Sequence, residues 1–412
     1  MILQKIFQFR PNFVLLLGMA FLLIYPASVA LGRKTNPLTD PKLEPGWNIT
    51  LSSQGKEIIK QFDSGIFLEA NADFTQSQVR LLNLSNNFDI QTLLTIQHTL
   101  GYPPDIRLCL KKPALAATII PPGSSEYAAR FQGGEVWWVD LNTSLKTQIG
   151  FNAISPPYIA PGCDSVLYSR LVPLPQPDSS YIPFRTDLIL ADLKTNQERV
   201  IFSDSRHYGV TPLGWNTTGS VFFTLAITLQ GGYYLHAIDV ITSTIISSWN
   251  MVEFDSIRKI EISPIGDQLI FEGSENKENG LYLIPLPLKD VSHQPKPFPI
   301  LKYSIHGIPP FKALWGTGGR ELLIFTSPDR QNISQAFLWN SVSRVRERNI
   351  HPNPDNQWIP ESLSRNAKWI AWREYQKDYP AFAVSAGDSG IWLRISPQDI
   401  RNYLSWVGWW ER

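Results

Sequence analysis

Short apolar runs that end in polar turns recur along this chain. Three of them end in related segments: Asp-Leu-Asn-Thr at 140–143, Asp-Leu-Lys-Thr at 192–195 and Asp-Val-Ile-Thr at 239–242. In each copy the Asp side chain can accept a hydrogen bond from the backbone two residues on and so open a turn. A second apolar run follows each segment, and the three Asp residues are 52 and 47 residues apart. The pattern predicts a β-hairpin that is repeated once per unit.

A second turn pattern precedes the hairpin and has the same period. Its clearest copy is Ser-Pro-Ile-Gly-Asp at 263–267, which leads into the apolar residues 268–271. Related turns precede strands that end at positions 168, 223, 325 and 372. Because two independent patterns share one period, we predict an all-β chain that forms a single β-propeller of four-stranded blades.

The number of units sets the expected number of blades. Copies of the hairpin can be followed from Asn83 to Ile395, which gives seven units and hence seven blades. Residues 97–133 fit the repeat least well, and we assign 105–110 and 114–120 in this region to the inner strands of the second blade. If these residues belong elsewhere, six blades are expected.

The two patterns together resemble the WD40-like repeat of TolB-like, PD40-type β-propellers. The usual form of that repeat is Ser-Pro-Asp-Gly-Lys-x-Ile-Ala-Phe followed by Ile-Tyr-x-x-Asp, and residues 263–271 read Ser-Pro-Ile-Gly-Asp-Gln-Leu-Ile-Phe. The Asp before Gly is often missing here, and Pro285 replaces the second Asp in one unit. The resemblance covers residues 60–400 and implies a propeller fold. Since TolB-like propellers act as interaction platforms in the cell envelope, it also implies a binding function.

The N-terminal region has the layout of a secretory signal peptide. Lys5 and Arg10 precede the apolar stretch 13–24, and the small residues at 28–30 offer a cleavage site. We expect residues 1–30 to be a signal peptide or, if uncleaved, a membrane anchor. Residues 31–50, with three prolines, are expected to form a polar tether, and residues 51–412 the propeller. The protein is therefore expected to be exported: periplasmic, on the cell surface or secreted.

Charge and composition narrow the class of partner. The formal net charge is +1 and only 18% of residues are charged. Nucleic-acid binding usually requires a basic surface, so we exclude nucleic acid as a partner. We expect a monomer that binds a protein or polysaccharide and meets the membrane only through an uncleaved N-terminal segment. The 14 Trp residues are expected mainly in the packed faces of the blades.

The sequence shows no catalytic motif. No two of the six His lie within five residues, and zinc, calcium and Gly-x-Ser-x-Gly patterns are absent. Residues 387–390, Gly-Asp-Ser-Gly, match the nucleophile segment of trypsin-like proteases but lie in a repeat turn. We therefore predict no catalytic residue, no metal and no cofactor, and favour binding over catalysis. The alternatives are a glycan lyase or hydrolase built from scattered residues, and a sensor of a small ligand in the central channel.

Three features outside the repeat lead to further expectations. Cys109 and Cys163 fall in adjacent units, and the sequence leaves open whether they form a disulfide. The aromatic stretch 404–410 can close the ring as a strand or be an exposed patch, and we favour closure. The proline-rich segments 172–183 and 295–310 interrupt the repeat and are predicted to be partner-contacting loops. The candidate contact residues in these two segments and next to them are Leu174, Tyr181, Phe298, Tyr303 and Phe311.

Overall fold

The computed structural model shows an all-β propeller in which about 64% of the described residues lie in strands and 3% in helices. The structure describes residues 48–51, 63–85, 88–174, 184–204, 209–228, 231–275, 278–286, 296–304, 311–326, 335–350, 358–374, 381–387 and 392–411. All of these residues lie within the compact unit Asn48–Arg412. Helices are limited in this part of the chain to the π-helical turn Ala128–Gln132 and the 3₁₀ turn Arg365–Ala367. No described helix has the length and apolar character needed to cross a bilayer.

The described strands form six antiparallel sheets, here called A to F. Sheet A contains β1 (Ile49–Leu51), β2 (Ser64–Ala70), β3 (Gln76–Asn83), β4 (Ile90–Gln97) and β29 (Tyr403–Trp410). Sheet B contains β5 (Asp105–Leu108), β6 (Ala114–Ile119), β7 (Gly134–Asp140), β8 (Leu145–Ala153), β9 (Tyr158–Ile159), β10 (Ser165–Pro173), β11 (Phe184–Asp192) and β12 (Gln197–Asp204).

The other four sheets have four strands each, in chain order. Sheet C contains β13 (Gly209–Trp215), β14 (Val221–Ile227), β15 (Tyr233–Asp239) and β16 (Thr244–Asn250). Sheet D contains β17 (Ser256–Ile262), β18 (Gln268–Glu275), β19 (Glu278–Pro285) and β20 (Phe298–Ser304). Sheet E contains β21 (Phe311–Trp315), β22 (Glu321–Thr326), β23 (Gln335–Asn340) and β24 (Val345–Ile350). Sheet F contains β25 (Trp358–Leu363), β26 (Trp369–Glu374), β27 (Phe382–Ala386) and β28 (Trp392–Ile395).

The repeated Asp residues form the predicted turns. Asp140 Oδ1 accepts hydrogen bonds from the backbone N–H groups of Asn142 and Thr143 at 3.0 and 3.1 Å, at the end of β7. Asp192 and Asp239 bond the backbone in the same way at the ends of β11 and β15. A short side-chain acceptor thus opens each hairpin that connects the third and fourth strands of a unit.

The predicted seven four-stranded blades are not all seen as separate sheets, because only five blades are distinct. Five of the six sheets have the size of one blade, with four or five strands, whereas sheet B has eight. Its halves β5–β8 and β9–β12 meet at one register pair, Arg170 in β10 with Ala153 in β8. Strand β9 has only two residues and follows Pro156 and Pro157, which lack the backbone N–H that a longer strand would need. Strand β10 therefore extends past β9 and reaches β8.

Residues 97–133 contain the expected strands. β5 and β6 lie at Asp105–Leu108 and Ala114–Ile119 and pair with each other, as predicted for the second unit. Buried apolar side chains then pack between the faces of successive sheets. One example joins β3 and β4 to β6 and β7 through Val79, Leu94, Leu115 and Trp137.

The ring is closed by the C-terminal aromatic strand. β29 pairs antiparallel with β2 from Tyr403↔Ala70 to Trp410↔Ser64, which confirms closure by residues 404–410. Trp409 and Trp410 are 1% and 3% exposed, so the stretch is packed and is not an open aromatic patch. β1 pairs with β4 on the opposite edge of sheet A, so the sheet begins at Ile49, slightly before the expected boundary at residue 51.

Cys109 and Cys163 form a disulfide between the two halves of sheet B. Cys109 follows β5, and Cys163 lies in the turn between β9 and β10. The two Cα atoms are 5.8 Å apart, and both side chains are buried in the core between the halves. The pairing left open by the sequence is therefore made in the structure.

The two proline-rich segments behave differently from the expected loops. Of residues 172–183, Val172 and Pro173 end β10 and pair with Arg185 and Phe184, Leu174 follows, and residues 175–183, including Tyr181, lie outside the described residues. The loop prediction for 295–310 is wrong for Phe298–Ser304, which form β20 and pair with β19. Pro299 is tolerated there because β20 is an edge strand with only one hydrogen-bonded neighbour.

Candidate functional site

The strands nearest the centre of the ring bring together polar side chains from distant parts of the sequence. These inner strands are β5, β9, β13, β17, β21, β25 and β29. Direct contacts link β29 to β5, β5 to β9, β13 to β17, β21 to β25, and β25 to β29. β9 and β13 are joined by hydrogen bonds, because the Tyr158 hydroxyl donates to the carbonyl of Pro212 at 2.9 Å and Trp215 Nε1 donates to the carbonyl of Tyr158 at 3.0 Å. We call the space that these strands enclose the central channel.

Four of these short strands carry charged residues. Arg107 lies on β5 together with Asp105, Glu261 lies on β17 together with Arg258 and Lys259, and Lys312 and Glu361 are the charged residues of β21 and β25. Because successive side chains of a strand point to opposite faces, each charged side chain lies on the face opposite its two neighbours. Ile106, which directly precedes Arg107 on β5, is buried while Arg107 is exposed. We call Arg107, Glu261, Lys312 and Glu361, with Asp105 of β5 and Arg373 of β26, the channel cluster.

Glu361 holds one side of the cluster together. Its Oε2 lies 2.8 Å from Lys312 Nζ, and its Oε1 lies 2.7 Å from Arg373 Nε. Enclosure by protein raises the pKa of a carboxyl, but here the charges and contacts of Lys312 and Arg373 outweigh it, so the pKa of Glu361 is lowered. Burial likewise acts against the charge of Arg373, while Glu361 and Tyr403 raise its pKa by more. This side of the channel is a fixed network of paired charges.

Glu261 is in a different electrostatic state. Its side chain is exposed, but partial loss of hydration beside neighbouring protein raises its pKa. Lys312 and Arg107 lower it, but by less. No hydrogen bond or ion pair of Glu261 is found within the described part of the chain. The carboxyl is therefore attracted by two cations without being bonded to either.

Arg107 is also without a direct partner among the described residues. Its positive charge lowers the pKa of Glu261 and of Tyr158, so the guanidinium lies within electrostatic range of both β9 and β17. The pKa of Tyr158 is nevertheless raised, first by burial and then by the negative charge of Asp105. Glu261 and Arg107 thus present opposite charges in the channel without meeting each other.

The residues predicted from the sequence lie elsewhere. Leu174 is half-buried at the end of the β10–β11 hairpin, and Tyr181 lies outside the described residues. Phe298 packs in β20 against Trp339 of sheet E, with ring centroids 6.4 Å apart, and under the guanidinium of Arg344. The backbones of Tyr303 and Phe311 lie in β20 and β21, and their side chains are outside the described set. Among the described side chains, those of Leu174 and Phe298, no contact joins the two, and the role of the other candidates stays a prediction.

Metal chemistry has no evident site in this part of the chain. Among the described residues, no group of three or more His, Cys, Asp or Glu side chains is arranged to hold a metal ion. What the channel cluster can do chemically is to pair with charged groups of a ligand, and to exchange a proton at Glu261, whose pKa is raised by enclosure.

No protein-family model matches the chain, and no curated protein matches it. Solved structures do match its fold. An oligogalacturonate lyase in complex with manganese is 13% identical, with 78% of this chain and 88% of that chain covered and a TM-score of 0.50. A prolyl endopeptidase structure is 8% identical, with 84% of this chain but only 50% of that chain covered and a TM-score of 0.52. TolB from Acinetobacter baumannii is 13% identical over 83% of this chain and 81% of that chain, with a TM-score of 0.41. TolB and other propellers are thus among the structural neighbours, and the comparisons show the fold.

Proposed function

We propose that the protein is a binding module that works outside the cytoplasm and recognises a charged ligand or partner segment in its central channel. One observation carries this proposal: four inner strands from separate units carry charged side chains, Arg107, Glu261, Lys312 and Glu361, whose charges act on one another. Charged side chains facing a shared concave space are an expensive arrangement unless they bind something. The partner is a protein or polysaccharide that presents charged groups, and the protein acts as a monomer.

Two features support the exported location. The segment 1–30 has a positive start, an apolar centre and small residues at its end, as a signal peptide or anchor requires. The disulfide between Cys109 and Cys163 adds to this, because such bonds persist mainly in oxidising compartments. N-terminal sequencing of the mature protein distinguishes cleavage before Leu31 from an uncleaved anchor.

We also infer that the ring has seven blades, with sheet B counted as two. The reason is the packing between units. Seven separate clusters of buried apolar side chains are found in the described residues, and each joins two units that follow one another around the ring. One of them lies between the halves of sheet B and contains the disulfide. An electron-density map of the purified protein that showed a continuous eight-stranded blade would contradict this count.

The binding function can be tested by asking whether the protein captures a partner only when the charged residues of the channel cluster are intact. Purified full-length protein and a variant with Arg107→Met and Glu261→Gln are immobilised and exposed to an envelope extract. Since neither side chain has a partner among the described residues, the double variant should keep its fold, which circular dichroism and the melting temperature verify. We expect the native protein, but not the variant, to retain a defined partner. The matched control is Arg320→Met with Asp267→Asn, an ion pair of 2.8 Å outside the channel cluster. Equal capture by all three proteins would refute recognition in the channel.

A rival function is favoured by one observation, the raised pKa of Glu261. A carboxyl that holds its proton closer to neutral pH is suited to general acid–base catalysis. This would make the protein an enzyme of the glycan lyase or hydrolase type with scattered catalytic residues. Turnover of a glycan or peptide panel by the native protein, abolished by Glu261→Gln, would establish this function in place of binding.

A further inference from the structure

Three aromatic side chains form a continuous stack beside sheet B. The ring centroids of Tyr127 and Phe131 are 5.1 Å apart, and those of Phe131 and Phe184 are 5.8 Å apart with an interplanar angle of 13°. Tyr127 and Phe131 belong to the helical turn between β6 and β7, whereas Phe184 is the first residue of β11. We call these three residues the aromatic stack.

The aromatic stack is built where the chain departs from its repeat. Residues 120–133 form the connection between the second and third strands of their unit, and this connection is longer than the corresponding one in any other unit. Phe184 directly follows the second longest of these connections, residues 174–183. Segments of this kind carry function more often than the strands that support them.

The exposure of the rings increases along the stack. Phe184 is half-buried, Phe131 is 39% exposed and Tyr127 is 60% exposed. Rings that only fill the space between blades are covered, as Trp137 is in the neighbouring strand β7. The two inner rings therefore support Tyr127, which leaves much of its ring open to a ligand.

The turn that carries Tyr127 and Phe131 is fixed by its own hydrogen bonds. The backbone N–H of Ala128 donates to Ser125 Oγ, and the backbone N–H of Ser124 donates to Thr99 Oγ1, both at 3.1 Å. Gly133 ends the turn with a φ of +76°, and a Cβ there would lie 2.3 Å from the carbonyl oxygen of Ala153, so the turn lies directly against β8. A surface that is ordered before binding loses little conformational entropy when a ligand arrives.

The charges next to the aromatic stack are already paired. Each ring has one charged neighbour in the sequence, and these neighbours are Glu126, Arg130 and Arg185. Glu126 and Arg130 form an ion pair at 2.6 Å, and Arg185 forms one with Asp187 at 2.8 Å. These pairs leave no excess charge beside the rings to attract an ion, yet the exposed side chains of Glu126 and Arg130 can still accept and donate hydrogen bonds. An uncharged ligand that is rich in hydroxyl groups is complementary to this surface.

We propose that the aromatic stack is a binding site for an uncharged oligosaccharide. One sugar ring lies against the open side of Tyr127, and its hydroxyl groups bond Glu126 and Arg130. The face of an aromatic ring is its negative side, which attracts the weakly positive C–H bonds on the face of a sugar ring. None of the residues of this site belongs to the channel cluster, so the site goes beyond the proposed function.

The packing of the rings favours a sugar over a proline-rich peptide. Proline-rich segments dock into grooves that are lined by aromatic side chains. In the aromatic stack, Phe131 contacts both of the other rings, so the rings fill the space between one another. The surface they offer is the outermost ring with a polar border, which suits a single sugar ring.

The test uses purified full-length protein and defined probes. Cellopentaose, maltopentaose and mannopentaose are the uncharged probes, pentagalacturonate is the acidic probe, and decaproline is the peptide probe. Isothermal titration measures affinity, and saturation-transfer NMR identifies the ligand protons that contact the protein. We expect at least one uncharged pentasaccharide to bind through the C–H protons of a sugar ring, and pentagalacturonate to bind no more tightly.

Variants then identify the residues. Tyr127→Ala should weaken binding of the best pentasaccharide by at least about five-fold, the loss expected for one aromatic contact. Tyr127→Phe should retain most of the binding, because it keeps the ring, and Phe131→Ala should weaken binding because Tyr127 loses its support. The control Ile241→Ala, at an exposed position in the β15–β16 turn, should bind as the native protein does. Melting temperatures verify that each variant is folded.

Three outcomes would overturn the proposal. The first is that no uncharged pentasaccharide binds at about 10 mM. The second is that Tyr127→Ala binds the best pentasaccharide as the native protein does. The third is that only decaproline or only pentagalacturonate binds, which would show a peptide site or an anion site instead. Capture of a partner that depends on the channel cluster, without binding of a pentasaccharide, would refute this inference and leave the proposed function intact.

Discussion

The disulfide between Cys109 and Cys163 makes a quantitative prediction about stability. The two residues are separated by 54 positions, and both side chains lie in the core between the halves of sheet B. Cross-linking a loop of this length restricts the unfolded chain by about 4 kcal/mol at 25 °C in the chain-entropy model. We therefore expect the Cys109→Ala, Cys163→Ala variant to be less stable by about that amount.

The effect on the melting temperature follows from the size of the folded unit. Unfolding the unit Asn48–Arg412, about 365 residues, involves an entropy of roughly 0.8 kcal/mol per kelvin. A loss of about 4 kcal/mol thus corresponds to a decrease of roughly 5 °C in the melting temperature. Differential scanning calorimetry of the native protein and the double variant measures this directly, and guanidinium unfolding gives an independent value.

Reduction is the control that substitution cannot give. It breaks only the S–S bond, whereas replacing Cys109 and Cys163 by Ala also removes two buried sulfur atoms from the core. Cys109 and Cys163 are the only two cysteines of the chain, so a reductant can act on no other disulfide. Complete reduction, verified by thiol labelling after unfolding, should lower the melting temperature of the native protein and leave that of the double variant unchanged. Equal melting temperatures of native, reduced and variant protein would refute the loop-closure reasoning.

Three further outcomes are expected. Glu361→Gln should destabilise the propeller at pH 7 by about 1–2 kcal/mol, because it leaves two cations without their shared carboxylate. Since the folded pKa of Glu361 is lowered, this contribution is present above the ordinary Glu pKa of about 4.3 and is lost as the pH falls below it, which melting curves from pH 7 to 3 would show. Gly266→Ala should lower the free energy of unfolding by more than ~1 kcal/mol, because Gly266 has a φ of +69° and a Cβ would lie 2.2 Å from a backbone oxygen. The control Gly209→Ala, whose Cβ would have no atom within 4 Å, should leave the urea unfolding curve unchanged. Glu69→Ala should lower the free energy of unfolding by about 3 kcal/mol in the same assay, because the buried guanidinium of Arg80, 2.9 Å from Glu69 in the native protein, loses its carboxylate partner. A variant as stable as the native protein would contradict this pairing.

Much of the architecture could be predicted because it depends on local patterns. The Asp residues at 140, 192 and 239 act through hydrogen bonds to backbone groups two or three residues away, so the sequence itself contains both partners. Closure by residues 404–410 could be expected for a similar reason, since an aromatic strand in a ring needs a covered position. By contrast, the merging of sheet B depends on how far β10 extends past a strand shortened by Pro156 and Pro157.

The proline content of residues 295–310 was misleading. It favoured a loop, but a proline can occupy an edge strand, where its missing N–H costs nothing, and this is the position of Pro299 in β20. Whether a strand lies at an edge is a property of the assembled sheet. The local sequence of 298–304 therefore could not decide the question.

The channel cluster was missed because its members are far apart in the chain. Arg107, Glu261, Lys312 and Glu361 come from four different units, and no short motif contains two of them. A signal was nevertheless present: Glu261, Lys312 and Glu361 each stand a few residues before the turn that opens the next strand. A charge at this position of the inner strand in three successive units points to a shared central space.

The pairing of β29 with β2 also has a consequence for the order of events when the chain is made. These strands are more than 300 positions apart, so their contact is among the last that a growing chain can form. Until β29 is available, β2 has an unpaired edge that includes Ile66, Phe67 and Leu68, which are almost fully buried once the ring is closed. An open apolar edge of this kind can pair with a strand of another chain. Aggregation during biosynthesis should therefore depend on how soon the C-terminal strand is delivered, and a chaperone that covers β2 during this interval would raise the yield of closed rings.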